Sequence, residues 1–247
     1  TFTKLVPEYP ETKVYRDMLS NIPPSVQHIY CFVKLDGKPM ELNLRSSNFW
    51  IYPHGDYDKL MEEFHQDPLT APIPLFMAFS CMKDPEWEKK YPEHSNAIIL
   101  TEGKKEWFEE WENERCTKRG KDYEGFKNQI GERMLEDGLF KYYPELRDKV
   151  LHFEVGTPLS TQFYINSCDG ESYGLDMNTY RLTMANELRP KTNLRGLYLT
   201  GQDICCLGVT GAMMSGVLTA NVIAGYDNMI DICLGNNIVK DLTRKIY

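Results

Sequence analysis

Asp203 follows the run GLYLTG (196–201) and Gln202, and no further charge occurs from Ile204 through Gly225. The uncharged stretch alternates tiny and apolar side chains and includes Gly208, Val209, Thr210, Gly211, Ser215 and Gly216. A carboxylate at the end of a strand can accept hydrogen bonds from a sugar or ribityl hydroxyl. Gly208 and Gly211 would let backbone N–H groups approach a flat ring, because no Cβ stands in the way. A helix from Thr210, a residue suited to the N-cap, through Ala224 would turn its positive dipole end toward an anionic edge. Crevices at the carboxyl ends of strands are the usual ligand sites of α/β sheets.

Two other readings compete on the same residues. Ile204 to Gly225 is long enough to span a bilayer, and Ala212, Gly216 and Ala220 form a small-xxx-small line. Against a span, the run is interrupted by Gly, Thr, Ser and Asn and has no basic flank before Lys240. A plain core helix is the third reading. There Gly211 and Gly216 would together cost about 2 kcal/mol relative to alanine unless close packing returns it. The cofactor reading accounts for the carboxylate, the glycines and the dipole together, and the three stand open on residues alone.

Other chemistries are poorly supported. The seven cysteines include no C-x-x-C pair, and the five histidines lack helical i, i+4 spacing, so no metal is expected. Most of the cysteines read as buried or half-buried thiols. With 247 residues, 42% apolar and 12% aromatic content, the composition is that of a globular protein of one or two domains. A formal charge of −8 without a Lys/Arg stripe argues against nucleic acid as a partner.

The elements that would position the site alternate irregularly. Residues 25–35, 47–53, 73–81, 96–100, 150–156 and GLYLTG read as strands. Residues 56–68 read as a short helix with an Asp cap and Leu60, Met61 and Phe64 inward. KKEWFEEWENER (104–115) should dock Trp107, Phe108 and Trp111 and solvate its other side. Residues 122–144 read as a longer helix with Phe126, Ile130, Met134 and Leu139 inward, weakened by three glycines. An amphipathic segment closes the chain (231–247). This pattern predicts an α/β or mixed α+β fold without separating the two.

LYLTGQD (197–203) followed by G-x-x-G-A resembles the FAD-contacting C-terminal segment of the phytoene-desaturase-like flavoproteins. GTPLSTQFY (156–164) and GESYG (170–174) resemble the segment before it. NFW (48–50), IPLFMAF (73–79), KDPEWE (83–88) and EWFEEW (106–111) are similar to the retinol saturases in particular. The resemblance implies an incomplete Rossmann-like FAD-binding fold with part of a substrate domain: residues 1–150 in the substrate domain, 151–247 in the flavin domain. It implies a FAD-dependent oxidoreductase that reduces one double bond of a retinoid, all-trans-retinol to 13,14-dihydroretinol. An isomerase or desaturase of another polyene, or a lipid-binding derivative of the fold, is the alternative.

By that resemblance Gly201, Gln202, Asp203, Gly208, Val209, Thr210 and Gly211 contact the flavin, with Asp203 on a ribityl hydroxyl. Tyr173 and Gly174 fall beside the flavin or substrate channel. Phe49, Trp50, Phe76, Phe79, Phe163 and Tyr164 are candidates to line a tunnel for a polyene lipid. NAD(P)H as electron source, and membrane association at the endoplasmic reticulum, come from the resemblance alone. No two glycines stand at G-x-G spacing, so the pyrophosphate-binding unit of the family is not represented. The chain is therefore expected to be the C-terminal part of a longer enzyme, inactive and unable to hold FAD tightly by itself. No residue is singled out as proton donor.

Overall fold

The structure is a computed structural model that describes Phe2, residues 5–184 and residues 186–224. The amphipathic segment 231–247 and Cys233 lie outside the described residues. The chain divides into two compact units, Val26–Ser172 and Thr1–Ser25 with Tyr173–Tyr247.

The Val26–Ser172 unit is built on five strands: β1 (Gln27–Asp36), β2 (Phe49–Ile51), β3 (Leu75–Ala78), β4 (His94–Gly103) and β5 (Val150–Gly156). Their order across the sheet is β2-β3-β4-β1-β5, and every neighbouring pair is antiparallel. The mixed helix–sheet expectation holds, with an open antiparallel sheet at its centre. The period-2 alternation of β1 decides which face is covered. Ile29, Cys31, Val33 and Leu35 are buried, whereas His28, Tyr30, Phe32 and Lys34 turn to the other face. β4 obeys the same alternation, burying Ala97, Ile99 and Thr101.

Helices cover the buried face. Tyr57–Gln66 begins at Asp56, whose carboxylate accepts from the Lys59 N–H at 3.1 Å, and buries Leu60, Met61 and Phe64 as expected. Lys105–Trp111 is a 3₁₀ helix that buries Phe108 and packs Trp107 and Trp111 against the core. Gly120–Met134 continues through a π-helical stretch, Leu135–Leu139, into Phe140–Tyr142. Two of its glycines are explained by contact with the sheet. A Cβ on Gly131 would lie 2.4 Å from Val155 Cγ2, and one on Gly138 would lie 3.1 Å from Leu75 Cδ1.

The other unit has its own small core of Phe2, Tyr15, Met18, Ile22 and Leu188, with Phe2 stacked on Tyr15 at 4.3 Å. Two expectations fail here. GLYLTG is not a strand; Tyr198 makes a single antiparallel bridge to Lys191, and Leu199 N–H bonds the Pro190 carbonyl. A lone bridge does not make a ladder. The following helix starts at Gly208, not at a Thr210 cap, and runs to Ala224. Among the described residues no helix is long and apolar enough to cross a membrane.

Candidate functional site

Asp203 sits in the turn between the 196–201 stretch and the Gly208–Ala224 helix. Its Oδ1 accepts from the Leu175 N–H at 2.9 Å, and no hydrogen bond among the described residues occupies Oδ2. Gly174 makes this approach possible. It has φ +70°, and a Cβ there would stand 2.4 Å from Asp203 Oδ1. The turn is held from beneath by Arg181, a residue that sequence reasoning missed. This arginine is 4% exposed and donates to the carbonyls of Leu175 (2.5 Å), Gln202 (3.0 Å) and Asp203 (3.0 Å). A buried guanidinium satisfied by three carbonyls fixes the backbone on both sides of the carboxylate.

The other predicted residues divide by role. Gln202 is not a loose surface amide: its Oε1 accepts from the Gly208 N–H at 2.9 Å and caps the helix. Gly208 has φ +81° and Gly201 φ +103°, and a Cβ on Gly201 would meet nothing within 4 Å. Val209 is 78% exposed, and Thr210 is exposed beside it. The first helical turn thus presents N–H groups that no intrahelical carbonyl can reach. At Gly211 the backbone behind the helix leaves no room for a side chain: a Cβ there would fall 1.6 Å from the Cys206 carbonyl oxygen.

The helix buries the seam of Gly211, Ser215 and Thr219, not the small-xxx-small line noted for a bilayer span. Gly211, Ser215 and Thr219 face inward, with Thr219 Oγ1 donating to the Leu199 carbonyl at 2.9 Å. Ala212, Gly216 and Ala220 are exposed, so their small size answers no helix–helix contact among the described residues. The turn therefore offers one unengaged carboxylate oxygen, an open Gly201 and a helix N-terminus. Those features fit a polyol next to an anionic ring edge.

In the Val26–Ser172 unit, the sheet face opposite the core helices carries an apolar row. Cross-strand register aligns Trp50 with Phe76, Phe76 with Leu100, Leu100 with Tyr30, and Tyr30 with Gly156. Ile98 and Phe32 form the next row. Trp50 is 65% exposed and meets Phe76 edge-on at 4.9 Å between ring centroids. The predicted tunnel residues do not converge. Phe79 is fully buried and packs edge-on to Phe49 and Tyr143, so it is a core ring. Phe163 and Tyr164 are exposed on the Pro158–Ile165 helix. Tyr173 is half-buried in the other unit, its N–H bonded to Ser25 Oγ at 3.0 Å.

A polar chain lies at the end of the apolar row. His28 Nδ1 is 2.7 Å from Ser172 Oγ, which is 2.8 Å from the Tyr30 hydroxyl. Opposite His28 on β4 stands Glu102, which accepts from the Tyr57 hydroxyl at 2.9 Å and lies 3.4 Å from His65 Nε2. Burial pushes the His28 pKa below its usual value of 6.5, with Glu102 opposing the shift. Burial alone would raise Glu102, but its hydrogen bonds to His65 and Tyr57 outweigh that and lower it. A phenol and an imidazole joined through one serine hydroxyl can move a proton. The alternation of β1 places His28 and Tyr30 on one face, but only the fold brings Ser172 to them.

A group whose folded pKa is depressed leaves the unfolded chain to bind the proton first as pH falls. Stability that His28 gives above pH 6.5 should therefore be lost as pH drops through that value toward its lower folded one. Lowered Glu102 acts in the same direction further down, as pH falls below its usual 4.5. Urea midpoints should fall between neutral pH and about pH 5, and His28→Asn should flatten part of that fall. A wild-type midpoint that stays level would contradict the assignment.

No group of three or more His, Cys, Asp or Glu is placed to hold a metal ion among the described residues. The thiols are less buried than expected. Cys31 and Cys81 are buried and Cys116 is half-buried, but Cys168, Cys205 and Cys206 are exposed. Cys31 on β1 and Cys81 in the 3₁₀ turn Ser80–Met82 face the core, and burial raises Cys31 to about 12.

No family model matches the chain. It is 38% identical to the all-trans-retinol 13,14-reductase of Rattus norvegicus over 250 residues, which is 96% of this chain and 40% of that protein. The chain matches the retinol saturase family. The human all-trans-retinol 13,14-reductase is 38% identical over 215 residues, covering 84% of this chain and 35% of its own length. A Danio rerio relative named inactive all-trans-retinol 13,14-reductase is 28% identical over 250 residues, 99% of this chain and 41% of that protein. The chain thus spans about two fifths of the length of the retinol saturase relatives it matches.

Proposed function

We propose that this chain is part of a FAD-dependent oxidoreductase that saturates one double bond of a retinoid, all-trans-retinol to 13,14-dihydroretinol. The observation that carries the reading is the 38% identity to a retinol reductase across 96% of the chain. The Asp203 turn and the open apolar face support it independently of any name.

In this reading the unit containing Asp203 belongs to the flavin domain and Val26–Ser172 to the substrate domain. A flavin supplies hydride when bound and reduced. Asp203 would hold a ribityl hydroxyl through Oδ2, while Arg181 and Gly174 keep the carboxylate in place. Gln202 and Gly208 would fix the start of the helix, and its dipole would favour negative charge at the ring edge. The row Trp50, Phe76, Leu100 and Tyr30 would bind the polyene through apolar area and exclude water. Tyr30, backed by Ser172 and His28, would deliver the proton that accompanies hydride addition. Location at the endoplasmic reticulum membrane and NAD(P)H as electron source belong to the same proposal and rest on the family resemblance.

A second reading has a specific observation behind it. The relative named inactive matches 99% of the chain, so the same sequence frame also occurs in a protein described as lacking the activity. A non-enzymatic lipid-binding protein would keep the apolar face without turnover. Incubating the intact protein anaerobically with reduced flavin and all-trans-retinol separates the two. The proposal expects dihydroretinol; retinol bound and recovered unchanged would favour the lipid binder, and conversion of another polyene would favour a related isomerase or desaturase.

A further inference from the structure

A cleft of about 720 Å³ in the Val26–Ser172 unit is lined by residues that the proposed chemistry does not use, among them Arg119, Tyr123, Lys127, Ser160 and Tyr164. Arg119 is 7% exposed. Among the described residues its guanidinium makes no ion pair, and its one hydrogen bond is a long one, Nη1 to the Tyr123 hydroxyl at 3.5 Å. Its Nε is buried without an acceptor. A guanidinium carries five donors, and a buried charge is normally paired, so this one is short of an anion.

The surroundings point the same way. Arg119 and Lys127 both lie over the Tyr123 ring, at 5.2 Å and 5.3 Å from its centroid. The Tyr123 hydroxyl is fixed by Thr157 at 2.9 Å. Gly120–Met134, a helix of 15 residues, begins at the cleft and adds the positive end of its dipole. Thr117 lines it with φ +67°, an outlier for a β-branched residue of the kind that clusters at ligand clamps. Exposed Lys118 and Lys121 flank it. Two acids share the lining: Glu124, which is paired with Lys127 at 2.9 Å, and Glu154.

Beside the cations stands an apolar tip. Phe163, Tyr164 and Ile165 are 59%, 70% and 66% exposed at the end of the Pro158–Ile165 helix, whose Pro158, Leu159 and Thr161 are buried. A free inorganic anion needs no such tip. We propose that the cleft receives the phosphate of an anionic phospholipid headgroup, with Phe163, Tyr164 and Ile165 entering the acyl boundary next to it. Basic residues above and aromatic or aliphatic residues below are the arrangement of an interfacial contact. The chain as a whole carries a formal −8, so attraction to an anionic surface has to come from this local cluster and not from net charge. The proposal stands apart from the redox reading.

Co-sedimentation of the intact protein with phosphatidylcholine vesicles, with and without phosphatidylserine, tests it. Binding should rise at least tenfold with phosphatidylserine, and Arg119→Gln should remove about tenfold of that affinity. Phe163→Ser and Ile165→Ser should weaken vesicle binding while leaving binding of inorganic phosphate unchanged. Should Arg119→Gln fail to fold, Lys118→Glu with Lys121→Glu tests the same attraction from the surface and should also lower binding. Equal binding to both vesicle types, or undiminished binding by a folded Arg119→Gln variant, would overturn the proposal. Phosphate binding without any vesicle binding would overturn the assignment to lipid.

Discussion

Asp203→Ala in the intact protein should come through purification with little flavin, while Asp203→Asn should keep an intermediate amount. The two substitutions separate two duties of one side chain. Alanine removes the acceptor of the Leu175 N–H at 2.9 Å and the free Oδ2 together. Asparagine keeps a carbonyl oxygen for Leu175 but gives up the charge that strengthens a bond from a ribityl hydroxyl. Hydrogen bonds to charged groups contribute about 1.5–3 kcal/mol, so the alanine variant should lose roughly tenfold to a hundredfold in flavin affinity. Flavin-to-protein absorbance ratios measure this. Full occupancy in both variants would remove Asp203 from the cofactor site.

The second large effect concerns stability. Gly211→Ala and Gly211→Val should both destabilise the unit that contains them, by roughly 3 kcal/mol or more. The cause is the first atom added, because a Cβ would overlap the Cys206 carbonyl oxygen at 1.6 Å. Neither a rotamer change nor a flexible neighbour can relieve contact with backbone. The turn from Cys206 to Gly208 or the first turn of the helix has to move. Denaturant unfolding and limited proteolysis of the Gly208–Ala224 helix would record it. An alanine variant as stable as wild type but depleted of flavin would instead mean that Gly211 is there to clear the ring.

The comparison of these two sites shows what a sequence can and cannot disclose. The strands of the Val26–Ser172 unit were legible because alternation is local: Ile29, Cys31, Val33 and Leu35 announce the buried face of β1. So was the helix at Tyr57, where an acid cap and three inward residues lie within ten positions. Asp203 stood out in the sequence as the last charge before a long uncharged run, and the structure places it in a turn fixed by Leu175 and Arg181. Arg181 was not legible, since nothing nearby in sequence reveals that its guanidinium reaches three carbonyls on two segments. The His28–Ser172–Tyr30 chain was hidden likewise, because Ser172 lies more than 140 positions from the two β1 residues it joins. GLYLTG misled for the opposite reason: its β-rich composition is real, but extended backbone becomes a strand only where a neighbour supplies a ladder. The small residues of the helix serve its packing in one register only, since Gly211, Ser215 and Thr219 are buried while Ala212, Gly216 and Ala220 are exposed.

Binding of the isoalloxazine by the Asp203 turn is the claim on which the functional reading depends. Its most direct measurement is the visible absorption spectrum of the purified intact protein, before and after anaerobic reduction and addition of all-trans-retinol. The account predicts flavin bands that bleach on reduction and return as dihydroretinol forms. A folded protein that carries no flavin and takes up none when FAD is supplied would contradict it.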